Sequence, residues 1–145
     1  IGHAVSADLM TWEVRPPLTK PGAGFAHLEV PQGEFVDGRW VLLFSAAGSG
    51  LSARQRERHP DAGTWAVIVD DPTRSMDLSD AEPLTTHDLY SGRLAQRRDG
   101  ASVFVAFHNH RSDGRFTGGV SDPIGFRIDD AGRPALMDSS AGYRR

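Results

Sequence analysis

The residues that best fit a chemical role lie in one short segment, FAHLEVP, which spans Phe25 to Pro31. Within it, Glu29 is a carboxylate set between Leu28 and Val30, just after a loop rich in proline and glycine. A carboxyl group that apolar neighbours shield from water has a raised pKa, as a general acid near neutral pH requires. The alternative is an ordinary strand position whose side chain points to water. The residues alone leave both interpretations open.

Histidines stand at two further places where they could serve a site. His27 lies two residues before Glu29, so in an extended segment it projects to the same face and could hydrogen-bond a substrate or tune the glutamate. A histidine satisfied within its loop is the simpler interpretation. His108 and His110 share a strand face at a spacing that can ligate a metal, but no third ligand follows at a useful distance. We therefore expect no metal site and no cofactor.

Composition narrows the class of protein. The chain of 145 residues is 39% hydrophobic and 24% charged, which is typical of one globular domain over residues 1–145. A net charge of −3 without a basic block predicts no nucleic-acid partner, and no apolar run is long enough to predict a membrane span. With no cysteine, redox logic does not indicate the compartment, so cytoplasm is the default expectation. No signal peptide is visible at Ile1, and secretion stays open.

The pattern of breakers and apolar runs predicts a mostly β chain. Sixteen glycines and nine prolines interrupt it, and the best helix candidate is a short solvated stretch at 51–58 with Ser52 as its cap. Asp-Gly pairs between apolar runs are strong hairpin signals. They predict a strand pair on either side of Asp37-Gly38 and another around Asp99-Gly100. A weaker turn signal for a third strand pair lies at 130–132, and apolar runs predict further strands at 1–6 and 64–70. A recurring antiparallel unit suits β-propeller blades, although sandwiches use the same turns.

Five segments occur in an order that resembles a known family. They are IGHAVSADLMTWE, HLEVPQ, DGRWVLLFS, LYSGRL and FTGGVSDPIGF. Together they resemble the later portion of glycoside hydrolase family 32, the invertase, levanase and inulinase group. The family's Glu-Cys-Pro motif supplies the general acid/base, and its counterpart here is Glu29-Val30-Pro31, with valine in place of cysteine. The resemblance therefore implies that Glu29 is a catalytic acid/base.

The resemblance also implies a five-bladed propeller of antiparallel four-stranded blades, of which this chain would supply about three. In the family an aspartate nucleophile and an Arg-Asp-Pro aspartate complete the site, and neither motif is present here. Asp71-Pro72 and Asp122-Pro123 lack the preceding arginine. We therefore expect a chain that lacks N-terminal blades, is inactive alone, and associates with those blades or with a second copy. The expected substrate is a carbohydrate with terminal fructosyl or related furanosyl units; a non-catalytic carbohydrate-binding propeller is the alternative.

Three further residues are candidates for binding the sugar. Asp88, Tyr90 and Arg93 lie where the family carries an Asp-Tyr-Ala type segment that lines the pocket. Strand alternation places Asp88 and Tyr90 on one face and Arg93 on the other, unless the strand bulges near Gly92. Ordinary strand packing is the alternative for all three.

Overall fold

A computed structural model of the chain describes residues 1–110 and 114–137. Within these ranges the regular secondary structure consists almost entirely of short strands, with one 3₁₀ turn at Gly48–Gly50 and one helix, α1, at Ala53–Arg58. The strands are β1 (His3–Val5), β2 (Glu13–Arg15), β3 (Glu29–Val36), β4 (Arg39–Ser45), β5 (Thr64–Val69), β6 (Glu82–Pro83), β7 (Leu89–Gln96), β8 (Ser102–His108), β9 (Ile124–Ile128) and β10 (Pro134–Leu136).

The strands form two four-stranded antiparallel sheets in which sequence neighbours are spatial neighbours. The first sheet has the order β3-β4-β5-β6, and the second sheet has the order β7-β8-β9-β10. The remaining strands, β1 and β2, pair with each other as a two-stranded ribbon. This is the sequential four-strand arrangement of a propeller blade, so the predicted all-β class with antiparallel four-stranded sheets is confirmed.

Each four-stranded sheet begins with a hairpin whose turn the sequence predicted. Asp37 and Gly38 both have positive φ, 49° and 80°, as a two-residue type I′ turn requires. In the second sheet Arg97 N donates to Ala101 O at 2.9 Å, which closes a three-residue loop with Gly100 at φ 84°. The three predicted hairpins and the short helix capped by Ser52 are confirmed.

The apolar core has two parts that lie on opposite faces of the first sheet. Leu42 and Phe44 of β4 pack with Trp65 and with residues from the connections that cover that face. The intervening β4 residues, Val41 and Leu43, pack instead with the second sheet through Leu94, Phe104, Ala106 and Phe126. Because alternate strand residues point to opposite faces, an uninterrupted apolar strand such as WVLLF is buried on both sides.

A bulge interrupts the pairing of β3 with β4 at Pro31. The strand nevertheless runs from Glu29 through Pro31 to Val36. Pairing passes from Glu29 opposite Ser45 to Gln32 opposite Leu43, with a bulge between them. A bulge takes the proline, which has no N–H, out of the ladder, so the strand continues beyond it.

The β1–β2 ribbon is the most exposed apolar part of the described chain. Leu9, Met10, Trp12 and Val14 are all more than half exposed, although the other two tryptophans are buried or half-buried. A two-stranded ribbon alone is marginally stable in water, so this surface is one that a further element would stabilise. No described helix is long and apolar enough to cross a membrane.

Candidate functional site

Two matching β-bulges form the centre of the candidate site. They lie on β3 and β7, the first strands of the two sheets, which approach each other. The register shifts between Glu29 and Gln32 in β3, and between Tyr90 and Arg93 in β7. In both strands the second residue of the bulge is left-handed, with φ 48° at Val30 and 54° at Ser91. Positive φ is uncommon outside glycine, and such residues concentrate at functional sites.

Glu29 and Tyr90 occupy equivalent positions in the two bulges, each directly before the left-handed residue, and their side chains meet. Burial, the charge of the Glu29 carboxylate and hydrogen bonding to it raise the pKa of Tyr90 to about 12. The phenol therefore keeps its proton at neutral pH and is a hydrogen-bond donor for the carboxylate. The structure thus brings together two residues that lie far apart in sequence.

Arg93 reaches the same place because of the bulge in β7. Its guanidinium Nη1 donates a hydrogen bond to the carbonyl oxygen of Val30, the residue next to Glu29. Simple alternation would have put Arg93 on the face opposite Tyr90, and the bulge between Tyr90 and Arg93 changes that alternation. The backbone beside Glu29 is therefore fixed by a charged donor from the neighbouring sheet.

Sequence reasoning missed Gln32, whose side-chain amide joins the two first strands. Its Oε1 accepts from Leu94 N at 2.9 Å, and its Nε2 donates to Leu94 O at 3.0 Å and to Glu34 Oε1 at 2.9 Å. The amide thus completes the pairing of a β7 residue just beyond its bulge. A glutamine next to a proline gives no distinctive sequence signal, because its partner lies in another sheet.

Two other predicted residues lie apart from Glu29. The Asp88 carboxylate accepts from Thr86 Oγ1 at 3.4 Å and lies 3.7 Å from His87 Nε2. His27 donates its backbone N–H to Gly50 O at 3.3 Å and lines a cavity of about 630 Å³ with parts of the 17–28 segment. Within the described ranges, no side-chain hydrogen bond or ion pair joins His27 or Asp88 to Glu29.

The environment of Glu29 differs from the expected shielded pocket. Glu29 is exposed, and the apolar neighbours that were to shield it, Phe25 and Leu28, pack against the first core instead. The expectation of a desolvated carboxylate is therefore wrong for the described chain. What distinguishes Glu29 from an ordinary exposed strand residue is its contact with Tyr90 and the anchored backbone beside it.

Among the described residues, no cluster of three or more histidines and carboxylates could hold a metal ion. His110 instead packs edge-on against Phe116, with ring centroids 5.9 Å apart, and the backbone of His108 pairs with Gly118 and Gly119. The two histidines are therefore part of strand and loop packing in this region.

Comparisons with known proteins were informative only at the level of structure. No protein-family model and no curated protein sequence matches the chain. Among solved structures, the chain superposes on BmSUC1, a family 32 β-fructofuranosidase of Bombyx mori, with a TM-score of 0.69 at 20% identity. It also superposes on sucrose-6-phosphate hydrolase of Lactobacillus gasseri, with a TM-score of 0.56 at 20% identity.

Both matches cover 92% of this chain but only 30% and 29% of the two enzymes. The chain therefore spans less than a third of the length of these neighbours, which are propeller proteins. At this identity the likeness defines the fold, and it agrees with the family resemblance that the five sequence segments carry. The described chain has the fold of a portion of a glycoside hydrolase family 32 propeller.

Proposed function

We propose that this chain is part of a retaining glycoside hydrolase that acts on terminal fructosyl or related furanosyl units, with Glu29 as its general acid/base. The observation that carries the proposal is the pair of adjacent bulges, which holds Glu29 against Tyr90 while Arg93 anchors the backbone at Val30. The family-32-like fold supports the assignment, because Glu29 stands in the counterpart of that family's acid/base motif.

The proposed chemistry needs two carboxyl groups about 5 Å apart. In the first step a carboxylate nucleophile attacks the anomeric carbon while Glu29 protonates the leaving oxygen. In the second step Glu29, now a carboxylate, removes a proton from the water that hydrolyses the glycosyl-enzyme bond. The Tyr90 hydroxyl donates to Glu29 in this carboxylate state and so holds it in one orientation.

The nucleophile belongs, in this proposal, to sequence outside residues 1–145. The segment that contains the nucleophile completes the propeller beside the β1–β2 ribbon. The exposed apolar side chains of this ribbon include Leu9, Met10 and Trp12. Association with a second copy of the chain is the alternative way to cover that ribbon. Either arrangement agrees with the expectation that the 145-residue chain alone is inactive.

Substrate contacts are proposed for the residues around the acid/base. Arg93 is half-buried beside Val30 and donates to its carbonyl, which leaves further N–H groups of its guanidinium for sugar hydroxyls. Asp88 is exposed just before β7, and His27 is exposed just before β3, so both border the segments that enter the site. We assign these two residues to the outer part of the sugar site.

A second candidate function is carbohydrate binding without catalysis. The observation that favours it is that neither the family's nucleophile motif nor its Arg-Asp-Pro motif is present in residues 1–145. The coding sequence upstream of Ile1 separates the two functions. An Asn-Asp-Pro-like motif followed by Arg-Asp-Pro supports the hydrolase, and an initiator methionine close to Ile1 supports the binding module.

The test of the hydrolase is an assay of the protein that the extended reading frame encodes, on sucrose, inulin and other furanosides. Glu29→Gln should lower turnover by at least about 10²-fold to 10⁴-fold, the usual contribution of general acid–base catalysis, without loss of folding. Glu57→Gln, at an exposed glutamate on α1, is the matched control and should leave turnover unchanged. Equal activity of Glu29→Gln and the unsubstituted protein on every furanoside would overturn the assignment.

A further inference from the structure

Two buried hydroxyl groups connect the bulge that carries Glu29 to the bulge that carries Tyr90. Ser45 and Thr64 are completely buried and face each other as a cross-strand pair of β4 and β5, with Oγ and Oγ1 3.5 Å apart. Ser45 is also the ladder partner of Glu29 in β3. Polar side chains at full burial in an apolar sheet are uncommon, and each needs a defined hydrogen-bond partner.

Their partners are the backbone groups of the bulge in the other sheet. Ser91 N donates to Ser45 Oγ at 3.0 Å, and Gly92 N donates to Thr64 Oγ1 at 3.2 Å. Thr64 Oγ1 also donates to Leu89 O at 3.3 Å. A bulge removes backbone groups from the β7–β8 ladder, and a buried N–H without a partner costs free energy, so these hydroxyls replace the lost ladder partners.

A third hydroxyl strengthens the same junction. Thr85 Oγ1 donates to Leu89 O at 2.6 Å and accepts from Thr64 N at 3.0 Å. Gly92 allows the close approach, because a Cβ at this position would lie 2.3 Å from the ring of Phe104 and 2.8 Å from Thr64 Cγ2. Hydrogen bonds and steric fit thus fix the backbone on both sides of Tyr90.

We propose that Ser45 and Thr64 are positioning residues that set the Tyr90 hydroxyl against the Glu29 carboxylate across the two sheets. Ser45 does this most directly, since it pairs with Glu29 along β3 and accepts from the residue that follows Tyr90. The role of these hydroxyls in catalysis rests on the function proposed above, but the positioning itself is a property of the folded chain. Neither hydroxyl touches the substrate.

The test measures the contact between Glu29 and Tyr90 by NMR, without an activity assay. The chain has two tyrosines, so Tyr143→Phe leaves Tyr90 as the single tyrosine, and its ¹³Cζ resonance can be observed after labelling. In this background Glu29→Gln should shift the Tyr90 resonance, because it removes the charge beside the phenol. With Ser45→Ala or Thr64→Val present, the shift that Glu29→Gln causes should fall by at least half.

The controls separate positioning from general loss of packing. Thr64→Ser keeps the hydroxyl and should restore the shift. Ser121→Ala removes another buried hydroxyl, whose partner is Ala106 N at 3.1 Å and not the backbone N–H groups of Ser91 and Gly92, and it should leave the shift intact. Circular dichroism confirms that each variant folds. Should Thr64→Val fail to fold, Ser45→Ala and Thr64→Ser decide the question.

A full shift that persists in both Ser45→Ala and Thr64→Val would overturn the proposal, and so would the absence of any shift on Glu29→Gln alone. The outcome is independent of catalysis. If hydrolysis proves absent while the shift depends on Ser45, the positioning stands and the proposed function fails. If Glu29→Gln abolishes hydrolysis while the shift does not change on substitution of Ser45 and Thr64, the proposed function stands and the positioning fails.

Discussion

The first and second sheets share a scaffold but differ in the chemistry they present. Both are four-stranded meanders that begin with a bulged strand, and both bulges have a left-handed second residue, Val30 or Ser91. The residue before it is Glu29 in the first sheet and Tyr90 in the second. The comparison shows that the bulge fixes the position of one side chain, and that the amino acid at this position determines which functional group lies there.

The residues that follow the two positions differ for physical reasons. In β3 the bulge contains Pro31, which lacks the N–H that the bulge would leave unpaired. In β7 the bulge contains Gly92, whose N–H is buried and finds Thr64 Oγ1 as its acceptor. The bulge in β3 thus has no backbone N–H to satisfy, whereas the N–H in the β7 bulge is satisfied by an acceptor from the neighbouring sheet.

The sheets also differ in burial. Every residue of β4 from Val41 to Ser45 is buried, whereas β10 in the second sheet is only half-buried. The first sheet is covered on both faces, and its core depends on two large rings, Phe44 and Trp65, which stack with centroids 6.5 Å apart. We therefore expect the first sheet to be the more stable part and the outer strands of the second sheet to open first.

The largest expected effect on stability comes from the core of the first sheet. Phe44→Ala should lower the free energy of unfolding by about 3–5 kcal/mol, because Phe44 is fully buried and leaves a cavity. Ile124→Ala, at a half-buried position of β9, should cost roughly half the 2–5 kcal/mol of a buried isoleucine. Urea unfolding of both variants measures the difference. Equal losses of unfolding free energy in the two variants would contradict the expected difference in stability between the two sheets.

A smaller effect is expected where the second bulge approaches the first sheet. Gly92→Ala should destabilise the chain by about 1–3 kcal/mol, because its Cβ would collide with the ring of Phe104 and with Thr64 Cγ2 of the first sheet. Gly2→Ala meets nothing within 4 Å and serves as the control. Thermal unfolding compares the two variants. If Gly92→Ala is as stable as Gly2→Ala, the bulge in β7 does not lie close to the first sheet.

The smallest effect concerns alkaline pH. The pKa of Tyr90 is raised from 10.0 to about 12, so the folded chain holds this proton more tightly than the unfolded chain does. The contribution of Tyr90 to stability is therefore complete below about pH 10 and is lost as pH rises through about 12. Urea unfolding from pH 9 to 12 should show a shallower decline for Tyr90→Phe. Identical declines would place Tyr90 away from the Glu29 charge.

Local signals in the sequence were sufficient for much of the fold. Asp37-Gly38 and Asp99-Gly100 marked both main hairpins, since such turns depend on φ preferences of the turn residues themselves. Ser52 marked the helix start, and its hydroxyl accepts from Gln55 N as a helix cap does. The short outer strands β2 and β6 escaped prediction, because two or three residues carry no periodic pattern.

The site was less predictable because it depends on contacts between distant parts of the chain. The motif indicated Glu29, and the strand pattern allowed Tyr90, but neither predicted that two bulges would place their side chains together. Ser45 looked like an ordinary strand end, and its contact with Ser91 spans 46 positions in sequence. Phe25 and Leu28 were expected to shield Glu29 from water, yet in the folded chain both side chains pack against the first core.

The central claim is that Glu29 protonates the leaving group from its place beside Tyr90. It is tested most directly by comparing Glu29→Gln on two substrates of the protein that the extended reading frame encodes: a sugar fructoside with a poor leaving group, and an activated aryl fructofuranoside. A good leaving group departs without a proton, so the account predicts a loss of at least about 10²-fold on the sugar fructoside and a much smaller loss of glycosylation rate on the aryl substrate. Equal losses of glycosylation rate on both substrates would contradict it.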